Sequence, residues 1–247
     1  MATVRRVAVA APMASELEAV AGAFGLARDP AARDDRRSGR LGGVEVVAVP
    51  TGIGTALAAD AARRLLDADA PDLVLVVGIA GGLASAVAVG DVVVPALVED
   101  AAGGVHRPAP VAPPGAGLPP PHGILRTSDE FTVDPGRLAA LAARGVVALD
   151  METAAVAAVC ERAGTPWAVV RAISDLADDH PLGAAALHLV KPDGRPDPAA
   201  VARYVARHPA RVPALARLGR DAARAATAAA TAAAAAVRAL AVGRTVT

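Results

Sequence analysis

Residues 72–80 read DLVLVVGIA, with no polar side chain after the first position. An amphipathic helix needs a polar stripe, and a half-exposed strand needs alternation. A continuous apolar run of this length belongs to a strand covered on both faces. Such a strand requires a layer of helices on each side of its sheet. The chain supplies them: VRRVAVAAP (4–12), LGGVEVVAVPT (41–51), GDVVVPALVE (90–99), GVVALDM (145–151) and TPWAVVRAIS (165–174) read as strands. Between them, SELEAVAGAFGL (15–26), GIGTALAADAARRLLDA (52–68) and METAAVAAVCERAG (151–164) carry apolar residues at helical spacing. The alternation predicts an α/β fold: one domain, a three-layer sandwich with a mixed, mainly parallel central sheet flanked by helices. We divide the chain into a catalytic domain over 1–220 and an Ala-rich helix and tail over 221–247.

The segment 101–123 holds seven prolines and five glycines and reads as a loop, a candidate flap over a site. The apolar run near the start is short, contains Pro12 and is followed at once by Glu16 and Glu18, so it reads as a first core strand rather than a secretion signal. The uncharged stretch Ala225–Val237 spans 13 residues, too few to cross a bilayer. These features predict a cytoplasmic protein without a membrane span.

Charge and composition remove several function classes. Lys+Arg and Asp+Glu are each 25, and aromatics are 2% of the chain, so neither the basic face nor the stacking platforms of a nucleic-acid binder are expected. The five His fall in no metal-ligand spacing, and the single cysteine, Cys160, lies in an apolar helical run as a small core residue. No metal and no cofactor are expected.

In open α/β sheets, sites gather at the carboxyl ends of strands. Four such stretches carry polar groups: APMASELE (11–18), VGIAGGL (77–83), LDMET (149–153) and ISDLAD (173–178). Each has a plain structural reading. Asp175, or Ser174 beside it, suits a helix N-cap. Glu152 opens a helix and suits its dipole. Glu16, next to Glu18, suits a solvated face. The glycines at 78, 81 and 82 suit a tight turn, or a place where a ligand meets backbone N–H groups.

Taken together the stretches resemble one family. VVGIAGGLASAVAVGDVVV (76–94), ALDMETAAVAAVCERAGTPWAVVRAISDLAD (148–178) and the opening VAVAAPMASELEAV are similar to the nucleoside phosphorylase superfamily, in its branch of methylthioadenosine/S-adenosylhomocysteine nucleosidases. The resemblance implies a nucleoside phosphorylase-like fold and cleavage of the N-glycosidic bond of a 5′-substituted adenine nucleoside. It implies Asp175 as the acid that protonates purine N7, and Glu16 as the base that activates water. Glu152, beside Met151, would bind ribose hydroxyls. Phe131 would pack on adenine, with the Thr132 backbone at the base edge. Ile79, Ala80, Gly81 and Ser174 would complete the substrate contacts. A homodimer is implied as well.

Hydrolases and phosphorylases both occur in this superfamily. An Arg and a Ser flank the glycine of phosphorolytic relatives that Gly78 resembles; here Val76 and Ile79 stand there, which favours water as the nucleophile. Ile79 also replaces a Ser of the nucleosidases, and residues 191–222 look more like superfamily members that remove adenine from adenosylhopane. Removal of adenine from such a lipophilic adenosyl compound, by water or phosphate, is the alternative, with futalosine hydrolysis a further one. A nucleoside-binding module without turnover is the alternative of another class; it would not need a water-activating base. His106, His122 and Arg126 read as solvated loop residues, and Asp178, Asp179 and His180 as turn residues.

Overall fold

The computed structural model describes residues 4–28, 30, 35–83, 86–111, 117–177, 188–191 and 194–242. In chain order these form β1 (Arg6–Ala11), α1 (Ala14–Phe24), β2 (Ala27–Arg28), β3 (Arg37–Leu41), β4 (Val44–Pro50), α2 (Thr55–Asp69), β5 (Leu73–Gly82) and β6 (Val92–Val93). Then follow β7 (Leu97–Glu99), β8 (Val105–His106), β9 (Ile124–Thr127), α3 (Pro135–Ala143), β10 (Val146–Asp150), α4 (Thr153–Ala163), β11 (Trp167–Leu176), α5 (Pro198–Arg207) and α6 (Val212–Val242).

The sheet runs β2-β3-β4-β1-β5-β10-β9-β7-β8, and β11 joins it along β5. Its long central ladders, β1 with β4, β1 with β5 and β5 with β11, are parallel. β5 is the DLVLVVGIA run, and its alternation explains why both faces are apolar. Leu73, Leu75 and Val77 pack with Leu17, Val20 and Phe24 of α1 and with Ala225, Ala229, Ala233 and Val237 of α6. Val74, Val76 and Ala80 pack on the other side with Ala58, Ala62 and Leu65 of α2 and with Ala157 and Cys160 of α4. The mixed sheet between two helical layers is the expected sandwich. Cys160 is buried, and burial pushes its thiol up to about 12, as a core residue requires.

Two details differ from the sequence reading. The expected strand over 90–99 is split into β6 and β7 around Pro95, which has no N–H to give to a ladder. The Ala-rich tract is the middle of α6, a helix that starts at Val212 and runs through the boundary drawn at 220/221. Its small side chains let the helix lie close to the sheet, and they form part of the core shared with α1 and β5. The Pro-rich segment is loop apart from β8, with residues 112–116 outside the description. Among the described residues no helix is long and apolar enough to cross a membrane.

Candidate active site

The centre of the site is Arg171, which no reading of the motifs had given a role. It stands in the middle of β11, flanked by Val169, Val170, Ala172 and Ile173, and is fully buried. A guanidinium cannot be left there uncompensated; several kcal/mol of desolvation demand paired carboxylates, here at Nη1 and Nη2, while the buried Nε has no hydrogen-bond partner among the described residues. Three acids answer. Asp150, at the end of β10, accepts from Arg171 Nη2. Glu152 Oε2 lies 3.5 Å from the same nitrogen, and Glu16 Oε1 lies 3.9 Å from Nη1. Thr153 Oγ1 (2.9 Å) and the Ile79 carbonyl (3.3 Å) accept further Arg171 N–H bonds.

Local folding brings each acid there for a separate reason. Glu16 is in the first turn of α1, and its carboxylate reaches back to the Met13 N–H (2.6 Å) while its other oxygen accepts from the Ile79 N–H (2.7 Å). It is therefore 2% exposed, and the solvated-face reading is wrong. Exposed Glu18, one position past Leu17, pairs with Arg37 instead. β10 runs antiparallel to β5, with Leu149 opposite Gly81, so the chain beyond it travels back toward Gly78 and delivers Glu152 to the cluster. Glu152 occupies the N-cap position of α4 but makes no capping bond. Asp150 accepts the Thr153 N–H and Thr127 Oγ1 accepts the Ala154 N–H, so the helix end is served without it. The Glu152 carboxylate is left to accept from the Gly54 N–H at 3.1 Å.

Gly78 has a different purpose from the one its sequence context suggested. A Cβ there would overlap Glu16 Oε1 and Arg171 Nη1. The glycine makes room for the ion cluster, and the neighbouring Ile79 N–H is committed to Glu16 rather than offered to a ligand. Gly82 is a packing glycine, since a Cβ would stand 2.7 Å from Val87 and 2.8 Å from Ile173.

One guanidinium cannot balance three carboxylates in a desolvated place, so burial favours the protonated forms of two of these acids. Burial pushes Glu16 up to about 7, even though Arg171 and the two N–H bonds act in the opposite direction. Burial, with Asp150 and Glu16 close by, also raises Glu152 well above the ordinary glutamate range.

Asp175 sits near the C-terminal end of the same strand. The ladder pairs Ile173 with Ala80 and Asp175 with Gly81, so Ser174 is an extra residue, a β-bulge. The bulge breaks the two-residue alternation. Asp175 leaves the face of Arg171 and Ile173 and lies against Gly81, with Oδ2 3.7 Å from where a Cβ would be. The expected capping role of Ser174 is thus corrected: β11 continues to Leu176, and no helix begins at Ser174 among the described residues. Its buried hydroxyl donates to Asp175 Oδ1 and also lies 3.4 Å from the Ala80 carbonyl. Asp175 itself is half-buried.

Glu16 and Glu152 are brought together around Arg171, and Asp175 stands four residues farther along β11, about 10–13 Å of strand. Ile79 and Gly81 are half-buried and Ala80 is buried on the β5 stretch that joins the two places. Met151 is half-buried beside Glu152. Phe131 and Thr132 are half-buried in the loop after β9, which Asp129 ties to Thr55 at the start of α2. Arg126 is not a solvated loop residue; it lies in β9 and pairs with Glu99. His106, in β8, is held 2.8 Å from Glu161. His122 is exposed, and Asp178, Asp179 and His180 lie outside the described residues. Arg171 and Asp150 were both inside quoted motifs. The signal that could have found them is charge within an apolar run, AVVRAI and VVALD, which implies a buried partner of opposite sign.

Comparison with known proteins gives a consistent picture. The family described as the phosphorylase superfamily matches residues 6–122 and 114–241. The 5′-methylthioadenosine/S-adenosylhomocysteine nucleosidase of Geobacillus thermodenitrificans is 34% identical over 170 residues, 58% of this chain and 71% of its own. That of Shewanella putrefaciens is 32% identical over 168 residues, 58% of this chain and 73% of its own. Among solved structures, the Neisseria meningitidis nucleosidase bound to methylthio-immucillin-A superposes with a TM-score of 0.72 at 23% identity, covering 95% of this chain and 99% of its own. The futalosine hydrolase of Helicobacter pylori reaches 0.72 at 18% identity, covering 95% and 97%.

Proposed function

The chain belongs to the phosphorylase superfamily, in its branch of methylthioadenosine/S-adenosylhomocysteine nucleosidases, and from that premise we propose that it hydrolyses the N-glycosidic bond of a 5′-substituted adenine nucleoside and releases adenine. The observation that carries this reading is the buried cluster in which Glu16 and Glu152 share Arg171, with Asp175 turned out by a bulge on the same strand.

Breaking a C–N glycosidic bond builds positive charge on the sugar, as in glycoside hydrolysis. An ionised Glu16, available at neutral pH because it titrates at about 7, favours such a cation. Glu152 accepts the ribose hydroxyls. Glu16 takes a proton from water as the water oxygen bonds to C1′; an acid that titrates at about 7 is matched to this work at neutral pH. The C1′–N9 electron pair passes to the purine, and Asp175 gives its proton to N7, so adenine departs neutral. Phe131 packs on the base and the Thr132 backbone meets its edge.

The same electrostatics speak for water against phosphate. A phosphate dianion normally needs Arg and free backbone donors. Here the buried guanidinium is already surrounded by Asp150, Glu152 and Glu16, and the Ile79 N–H is bonded to Glu16. The finer parts of the reading are a cytoplasmic homodimer, to be checked by sedimentation and fractionation.

The test is adenine release from a panel: methylthioadenosine, S-adenosylhomocysteine, futalosine, a lipophilic adenosyl compound and inosine, with and without phosphate. The expected result is adenine plus free 5′-substituted ribose from the first two, independent of phosphate. Ribose 1-phosphate as product would replace hydrolysis by phosphorolysis, and tight binding without release would leave only a binding module.

A further inference from the structure

Helix α2 starts at Thr55 with Gly54 in the N-cap position, and glycine has no side chain to accept the helix's first N–H groups. The acceptor comes from 74 residues away. Asp129 Oδ1 accepts the Thr55 N–H at 2.8 Å, and Oδ2 accepts the Thr55 hydroxyl at 2.5 Å. The same turn serves the site: the Gly54 N–H donates to Glu152 Oε1. Gly54 has φ of +97°, and a Cβ on it would stand 3.2 Å from Asp129 Oδ1, so the turn is packed against the carboxylate that holds it.

Asp129 lies in the loop that carries Phe131 and Thr132. That loop is anchored at its entry by the Ser128 N–H on the Asp150 carbonyl (2.9 Å) and at its exit by Asp134, which caps α3 through the Arg137 N–H (2.7 Å). Between these anchors, the Asp129 bonds to Thr55 attach the loop to the element that bonds Glu152.

We infer that Asp129 is a positioning residue for purine binding: by capping α2 across the chain, it fixes the Phe131 loop at a set distance from the turn that carries Glu152. The inference rests on the nucleosidase reading. Asp129 touches no reacting atom. It sets where the wall for the base stands relative to the acid for the ribose, so its loss weakens binding of the base more than it slows the chemistry.

The test measures adenine release from methylthioadenosine and the binding of adenine itself by calorimetry, in the wild type, Asp129→Ala, Asp129→Asn, Phe131→Ala and the Asp129→Ala/Phe131→Ala double variant. Asp129→Ala is expected to raise KM and the adenine Kd about tenfold, ~1.4 kcal/mol, with kcat within about threefold of the wild type. Asparagine keeps an acceptor for the Thr55 N–H, so Asp129→Asn should restore both constants to within about threefold. If the aspartate acts through Phe131, the double variant loses no more than Phe131→Ala alone. Thr55→Val, which deletes one of the two bonds, stands in should Asp129→Ala fail to fold, with a smaller rise in KM expected. An Asp129→Ala enzyme that melts earlier but keeps its KM and Kd overturns the inference and leaves the nucleosidase reading intact, as do fully additive losses. A wild type that neither binds adenine nor releases it overturns both.

Discussion

The middle and the C-terminal end of β11 handle an acid in opposite ways. Around Arg171 the acids are buried, and desolvation pushes Glu16, bonded on both oxygens, and Glu152 upward in pKa. At Asp175 the strand has to break its own register, through the Ser174 bulge, to present a half-buried carboxyl that accepts from the Ser174 hydroxyl. The middle uses the field of a low-dielectric interior; the end uses backbone geometry. The difference suits the tasks proposed for them: binding the ribose and activating water call for rigidly held groups, whereas delivering a proton to a departing base needs an accessible, aimed group.

The comparison is broken most forcefully at Arg171. Arg171→Met removes the guanidinium that the three buried acids share and leaves them to share protons. Breaking a buried pair in this way typically costs about 3–5 kcal/mol, a large part of an ordinary domain's stability. Urea unfolding should show that loss in the midpoint at unchanged m-value. A variant as stable as the wild type would mean the cluster is not the electrostatic unit described.

The pH dependence of stability sharpens the contrast. Glu16 titrates at about 7 in the folded protein against 4.5 as a free group, so the folded state holds its proton over a range where the unfolded chain has lost it. Its contribution is fully present below pH 4.5 and is lost as pH rises through 7. The shift corresponds to roughly 3 kcal/mol over that window. Glu152, also raised, acts in the same direction. Denaturation midpoints should therefore fall between pH 5 and 8, and Glu16→Gln should remove about half of the slope. An unchanged slope in that variant would place the titrating group elsewhere.

The smallest effect belongs to Ser174→Ala. The bulge is a backbone feature and survives, but Asp175 loses the hydroxyl bonded to Oδ1. A drop in kcat of about three- to tenfold is expected, the scale of one hydrogen bond of about 1 kcal/mol. A loss as large as that of an Asp175 variant would mean that Ser174 takes part in the proton transfer directly.

Much of this was legible from residue pattern, and the reasons for the rest are physical. The DLVLVVGIA run demanded two helical layers, and α1 with α6 and α2 with α4 supply them. Glu16, Glu152 and Asp175 each had a plain structural reading, and only the resemblance of the stretches that hold them to the nucleosidase family singled them out. What could not be read was three-dimensional pairing. Nothing local tells that Glu16 faces Ile79, that the glycine at 78 serves a side chain instead of a ligand, or that the helix end at Thr153 is capped by Asp150 so that Glu152 is spared. The Ser174 bulge was equally hidden, since register depends on the neighbouring β5, not on ISD itself. Arg171 was visible but unread: a lone charge in a strand is informative only once its partners are sought.

The most direct test of the central claim is the turnover of methylthioadenosine by Asp175→Asn, with folding verified by circular dichroism and adenine release followed over time. The account predicts at least a ~100-fold fall in kcat with the fold intact, the range of a lost general acid. Near-normal adenine release by that variant would contradict it, leaving Asp175 as a structural residue at the end of its strand.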